Sequence, residues 1–281
     1  MANFETDVTL DVLDLFYALP KPKQHKLIKE ILSNLDSDEL NKLIPQNNPD
    51  IDKLNYINEV CNTNYTSLDD VYWGGISQQP KLSEDFIREF QDYVDWDYIS
   101  SYQRLSEDFI REFQDKVNWF YISQCQKLSE NFIREFKDNV NWGFISCFQK
   151  LTEDFIREFA NKVKWYNISQ YQTLSEDFIR EYKNQVSWCC ISEHQKLSEN
   201  FIREFKDKVS WSLISKYQTL SGYFIKEFKD EVYWNYISKY QKLSESFIRE
   251  FKDNVDWYWI LLYQNLSEEF KKEFQDKVKI I

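Results

Sequence analysis

The stretch SEDFIREFQDKVNWFYISQCQKL, Ser106 to Leu128, decides the fold. Its apolar residues Phe109, Ile110, Phe113 and Val117 advance by one, three and four positions, which marks one face of an α-helix. Trp119 and Ile122 then begin a second, shorter apolar pattern. The same 23 residues recur along most of the chain. Trp stands at 73, 96, 119, 142, 165, 188, 211, 234 and 257, with no insertion or deletion. With Trp as position 0, Ile follows at +3, Ser at +4, Gln at +7, Leu at +9, Ser or Thr at +10, Phe at +13, Ile at +14, Arg or Lys at +15, Glu at +16 and Val at +21. The departures that matter are Pro80, Leu261 and Lys271. Recently duplicated copies look alike whether or not each position is constrained, so the differences between copies inform more than the identities.

Working outward, Ser83 and its equivalents sit where a hydroxyl caps a helix N-terminus. Acidic residues usually follow, as the positive helix end prefers. Leu82 and Ile87 form a hydrophobic staple across that cap. Glu84, Arg88 and Asp92 are four apart and attract on a solvated face. These features predict a first helix, A, of about eleven residues. Trp96, Ile99 and an aromatic at +6 such as Tyr102 predict a second helix, B, of seven or eight residues ending at the Gln. Asp95, Asn118, Asn141, Ser187, Ser210 and Asp256 are suited to cap it; Lys164 and Tyr233 are not.

One continuous helix is excluded. At 100° per residue a 23-residue period leaves successive copies about 140° out of phase, and the period is neither a heptad nor an eleven-residue coiled-coil repeat. Leucine-rich repeats share the length, but Ser101, Gln124, Cys147, Gln170, Glu193, Lys216 and Lys239 occupy the place of their third apolar residue. The reading is an all-α solenoid of two-helix repeats over residues 73–281, behind a helical N-terminal region of residues 1–72. A single copy buries too little to order itself, whereas stacking gives each helix a second buried face. Ile at +14 becomes Lys271 in the last copy, so Ile +14 is expected to touch the next copy and Glu268–Ile281 to act as a C-terminal cap.

The chain has 281 residues and a net charge of −12, which disfavours nucleic acid, since phosphate backbones are bound mainly by Lys and Arg. Five unpatterned cysteines, Cys61, Cys125, Cys147, Cys189 and Cys190, suggest no disulfide framework or zinc site and suit a reducing compartment. No signal peptide or membrane span is expected, so the location expected is the cytoplasm. Asn64 and Asn167 fall in glycosylation patterns by chance on that reading.

Residues 1–72 hold four of the five prolines. They predict helices at 9–19, 22–35, 38–44 and 52–62, with Pro22 at a first helical position, Ser37 as a cap and Pro45 as a stop. One reading is a cap that shields the first Trp copy. The other rests on VLDLFYALPKPKQHKL (Val12–Leu27), on LIKEILSNLDSDEL (Leu27–Leu40), and on Val60-Cys61 followed by Trp73; these resemble the F-box pattern, although its opening Leu-Pro is absent. That resemblance implies docking to the small adaptor of a cullin ubiquitin ligase through Leu13, Leu15, Phe16 and Leu19. It would make the chain a substrate adaptor. Over residues 67–281 the phrase QKLSEDFIREFQDKVNW with its YIS follower resembles the tandem short-helix repeat proteins of giant, mimivirus-type DNA viruses. That resemblance implies a viral protein in the host cytoplasm.

Nothing in the sequence resembles catalytic machinery set apart from a scaffold. The repeated carboxylates read as solvated helix faces. Cys190 and His194 are four apart, but no second ligand pair joins them, so neither metal nor cofactor is expected. The positions that vary most are +1 and +5 of helix B. They include Phe120, Tyr166, Asn235 and Tyr258 at +1, and Gln124, Gln170, Glu193, Lys216, Lys239 and Leu262 at +5. A constant core with a varied stripe is how repeat proteins present a binding surface, and a protein partner is the expectation. The last B helix, WYWILLYQ, adds Trp259, Leu261 and Leu262. It predicts either packing under the cap or a patch for self-association or a partner.

Overall fold

A computed structural model describes Lys23, Lys26, Leu27 and Glu30 and residues 49–278. The described residues contain helices and turns and no strand. Lys23, Lys26, Leu27 and Glu30 of the helix expected at 22–35 are helical. The remainder of that segment, the helices expected at 9–19 and 38–44, and Leu13, Leu15, Phe16 and Leu19 lie outside the described residues. The chain forms two compact units, Met1–Gln79 and Pro80–Ile281, so the helix that begins at the first register Trp belongs to the first unit.

In the first unit, α1 (Pro49–Cys61) covers the helix expected at 52–62. It stops at Asn62, whose φ of 51° is the left-handed conformation that ends helices. The Asn58 amide closes the following loop, donating to Tyr65 O and accepting from Tyr65 N at 2.8 Å each. A 3₁₀ turn over Leu68–Asp70 leads to α2 (Trp73–Gln78). A Cβ on Gly75 would meet the Tyr72 ring at 2.6 Å, so this close approach requires glycine.

In the second unit the A helices are α3 (Glu84–Glu89), α5 (Glu107–Glu112), α7 (Glu130–Glu135), α9 (Glu153–Glu158), α11 (Glu176–Glu181), α13 (Glu199–Glu204), α15 (Gly222–Glu227), α17 (Glu245–Glu250) and α19 (Glu268–Glu273). The B helices are α4 (Trp96–Tyr102), α6 (Trp119–Cys125), α8 (Trp142–Phe148), α10 (Trp165–Tyr171), α12 (Trp188–His194), α14 (Trp211–Tyr217), α16 (Trp234–Tyr240) and α18 (Trp257–Tyr263). A short α20 (Gln275–Val278) follows. Each Trp stacks on two Phe or Tyr rings of the next A helix; Trp119, for example, lies 4.8 Å from Phe136 and 6.2 Å from Phe132. Successive B helices pack directly on one another, so the copies form a solenoid.

Helix B has the expected length, seven residues, but helix A has six rather than eleven. At Phe113 the backbone leaves the helix (φ −110°, ψ 29°), and the N–H groups of Lys116 and Val117 turn back to its carbonyl. The turn still delivers Val117 to the buried side, which is why the apolar spacing continues past the helix end. The Trp119 indole N–H donates to Gln114 O at 3.0 Å, occupying a carbonyl stranded by the turn. The same indole bond recurs in all eight copies from Trp96 to Trp257. Trp therefore ends the helix where no proline does. Ser83 and its equivalents cap the A helices as expected, with Ser83 Oγ accepting from Phe86 N at 3.1 Å. Asp95, Asn118, Asn141 and Asp256 cap the B helices, whereas Ser187 and Ser210 make no side-chain cap bond. The serine side chain is one atom shorter than that of Asn or Asp at this backbone geometry.

The polar residues of the repeat join copy to copy. Ser123 Oγ donates to Trp119 O at 2.6 Å and accepts from Asn141 N, in the next copy, at 2.8 Å. The Gln126 amide reaches the copy before: Oε1 accepts from Leu105 N, while Nε2 donates to Gln103 O and Ser100 O. Both residue types are buried in every copy but the last, where Gln264 is half-buried and Leu261 takes the place of Ser. Glu107 accepts from Ser129 N at 2.6 Å. Arg111 bonds Glu135 of the next copy at 2.8 Å and lies 5.0 Å over the Phe132 ring.

This explains the departures at the edges of the array. Ser +4 and Ile +14 serve a following copy, and after Trp257 the register position 280 is Ile rather than Trp. There Leu261 replaces Ser and an exposed Lys271 replaces Ile. The eight Ile residues at +14 are all fully buried; Ile248 shares one cluster with Ile260 and Phe270 of the next copy. Gln +7 serves a preceding copy, and the first Trp-registered copy carries Pro80 instead.

Candidate protein-interaction surface

Helix arithmetic sets which side of helix B faces out. At 100° per residue, positions 0, +3, +4 and +7 fall within one arc of about 100°, and these are the Trp, Ile, Ser and Gln of the core. Positions +1, +2, +5 and +6 fall on the opposite arc. The aromatic at +6, expected on the apolar side with Trp and Ile, therefore stands outside. Tyr102 is 61% exposed, and Phe148, Tyr171, Tyr217, Tyr240 and Tyr263 are 45–57% exposed.

The outward arc takes in the varied positions. Phe120, Tyr166 and Tyr258 are exposed at 48–60%, and Asn235, Gln124 and Leu262 are also exposed. Gln170, Glu193, Lys216 and Lys239 are half-buried, and the two lysines reach rings of the next B helix. Trp259 and Leu261 are half-buried too, Leu261 against the last core cluster and Trp259 beneath Lys239. Of the last B helix, then, Leu261 packs inward while Leu262 faces solvent.

The surface joins aromatic rings to very few charges. The eight B helices of the second unit carry Asp97, Glu193, Lys216 and Lys239 as their only Asp, Glu, Lys or Arg residues, in a chain that is 29% charged. Those charges are unevenly placed. At α4, Asp95 and Asp97 border a groove of about 450 Å³ that also touches Tyr98, Tyr102 and Tyr121. Toward the other end, Lys239 Nζ lies 3.9 Å from the Trp259 ring and 5.4 Å from Tyr263, and Lys216 Nζ lies 4.5 Å from Tyr217. The hydrogen bond to Tyr217 raises the Lys216 ammonium above its ordinary pKa.

Among the described residues no group of three or more His, Cys, Asp or Glu is placed to hold a metal ion. Cys190 is buried and His194 exposed, and the five cysteines are free thiols. No described helix is long and apolar enough to cross a membrane.

Sequence reasoning found +1 and +5 from their variability and Trp259 at +2 from the apolar last helix, but it placed the exposed +6 aromatics on the core side. The signal was the burial of Ser +4 and Gln +7, which mark the inward arc but read as surface residues by composition. Fold and surface define the class: a tandem-repeat α-solenoid whose B helices share one aromatic, weakly charged face. No family model matches the chain, and neither a curated protein nor a solved structure matches it.

Proposed function

We propose that the chain is a non-enzymatic scaffold that holds a protein partner along the outward face of its B helices. The observation that carries this reading is the row of half-exposed rings at +1 and +6, from Tyr102 to Tyr263, on helices nearly devoid of charge. Surfaces without a partner rarely expose so many aromatic rings along one face. Rigid aromatic side chains bring large contact area at small entropic cost, and they dominate protein interfaces. The A helices supply the contrast. Apart from Tyr223, their exposed side chains are mainly polar, and a Glu–Arg ladder among them ties the copies together.

The test is affinity capture from an extract of cells that express the protein, with the full chain as bait. A variant carrying Phe120→Ser, Tyr166→Ser and Tyr258→Ser is expected to lose the captured protein while its circular dichroism stays unchanged. Equal capture by both baits overturns the reading.

A further inference from the structure

The B face is polarised, and the polarity identifies an occupant. Its acidic end, at the α4–α6 groove, has Asp95 and Asp97 beside Tyr98, Tyr102 and Tyr121. Asp97 accepts from the Asn118 side-chain amide at 2.6 Å, a neutral donor that leaves its charge in place. Carboxylates beside aromatic faces suit an ammonium group. Its basic end presents Lys216 and Lys239, one copy apart at the same register, with ring faces around them. Trp165 lies midway between Trp96–Trp119 and Trp211–Trp234, and its helix α10 exposes Tyr166 and Tyr171. Between the ends two other charges stand near this face: Glu193, 3.8 Å from His194, and, at the register of Asp95, the exposed Lys164, which a twofold axis at α10 would bring near its own mate.

We propose that the occupant of this face is a second copy of the same chain, laid antiparallel. The inference rests on the reading of the B face as an interaction surface. A twofold axis at α10 brings Lys216 and Lys239 of each copy to the Asp95–Asp97 groove of the other, and it sets Tyr166 and Tyr171 against their own symmetry mates. Such an interface is isologous: one patch serves both sides, and each charge contact occurs twice. Parallel stacking would set like charges together at both ends. The area suffices. The outward arc holds nine rings exposed at 45–61%. Half-exposed rings offer roughly 100 Å² each, which totals on the order of 900 Å², against about 800 Å² per partner in a stable complex.

Charge exchange tests the geometry. One variant is Lys216→Glu with Lys239→Glu; Glu193 already occupies this register. The other is Asp95→Lys with Asp97→Lys; Lys164 stands at the register of Asp95. Sedimentation equilibrium of the full chains is expected to give a wild-type dimer and two monomeric variants, each at least tenfold weaker in self-association. Their equimolar mixture is expected to recover the dimer, because like ends that repelled now meet opposite ones. A monomeric wild type at about 100 µM, well above the affinity such an area supports, overturns the proposal. So does a mixture that stays monomeric, or a lysine variant that still dimerises. A monomeric wild type whose captured protein is nevertheless lost on removing Phe120, Tyr166 and Tyr258 overturns the pairing alone and keeps the scaffold reading.

Discussion

Gln172 occupies a place that few side chains could fill. Its Nε2 donates to Ser146 O at 3.0 Å and Gln149 O at 2.8 Å, and its Oε1 accepts from Leu151 N at 3.0 Å. One neutral planar amide thus satisfies three backbone groups of the preceding copy. A Glu lacks the donors and a Leu lacks both functions. Backbone groups left unpaired in a dry interface cost more than the net value of the bonds they lose. Gln172→Ala is therefore expected to destabilise the array by about 3 kcal/mol, read as a lower urea midpoint. A loss no larger than that of an exposed control such as Lys196→Ala would show the ladder to be dispensable. The sequence displays this Gln in nearly every copy without displaying its purpose. Its partners lie 21–26 residues away, and hydrophobic periodicity registers neighbours on one helix, not polar contacts between copies.

At the scale of the element, one junction between A helices differs from its sisters. In seven others a Glu at +11 accepts from the Ser or Thr backbone N–H of the next copy at 2.6–2.7 Å. Between α15 and α17, Gly222 stands where that Glu would be and Tyr223 where Asp or Asn is common. Lys226 replaces Arg; it pairs with Glu250 but does not cover the Phe247 ring as the arginines cover theirs. Phe247 is accordingly only half-buried, whereas the other eight Phe residues at +13 are fully buried. Arrays of this kind open at their weakest nearest-neighbour contact. Gly222→Glu should restore the bond to Ser244 N and add about 1 kcal/mol. Its new Cβ would come within 3.3 Å of the Phe247 ring, a contact that a half-buried ring can relieve by shifting slightly. Hydrogen exchange is expected to slow at Ser244 and not at Ser267; unchanged exchange at Ser244 would sink the idea. Element lengths show how far pattern reading reaches. Helix B was legible because Asp95 and Gln103 bracket it. Helix A was read too long because Val117 keeps the helical spacing through a turn, and nothing local reveals that the Trp119 indole closes that turn.

Across the whole array, stability is a sum of repeated junctions, and the carboxylates that link them give it a pH dependence. The Glu245 pKa lies below its ordinary 4.5, chiefly because the Ser267 backbone N–H donates to it, with help from the Ser267 hydroxyl and Arg249. Asp138 lies below its ordinary 3.8, chiefly through the hydrogen bond from Lys162 of the next copy. A carboxyl whose folded pKa is depressed binds fewer protons folded than unfolded. Its contribution is present above the ordinary carboxylate range and is lost as pH falls through the folded value. Net charge works the other way, because acid first relieves the repulsion of a −12 chain, so the melting temperature of the wild type alone mixes two opposed trends. A comparison separates them. Glu245→Gln keeps an acceptor oxygen for Ser267 N–H but has no charge to lose. At pH 7 the wild type should melt higher than this variant, and the gap should narrow as pH falls from about 5 into the range below the ordinary 4.5. A gap that stayed constant over that window would mean the Glu245 link contributes no charge-dependent stability, and the repeated Glu-to-backbone contacts would then matter for geometry alone.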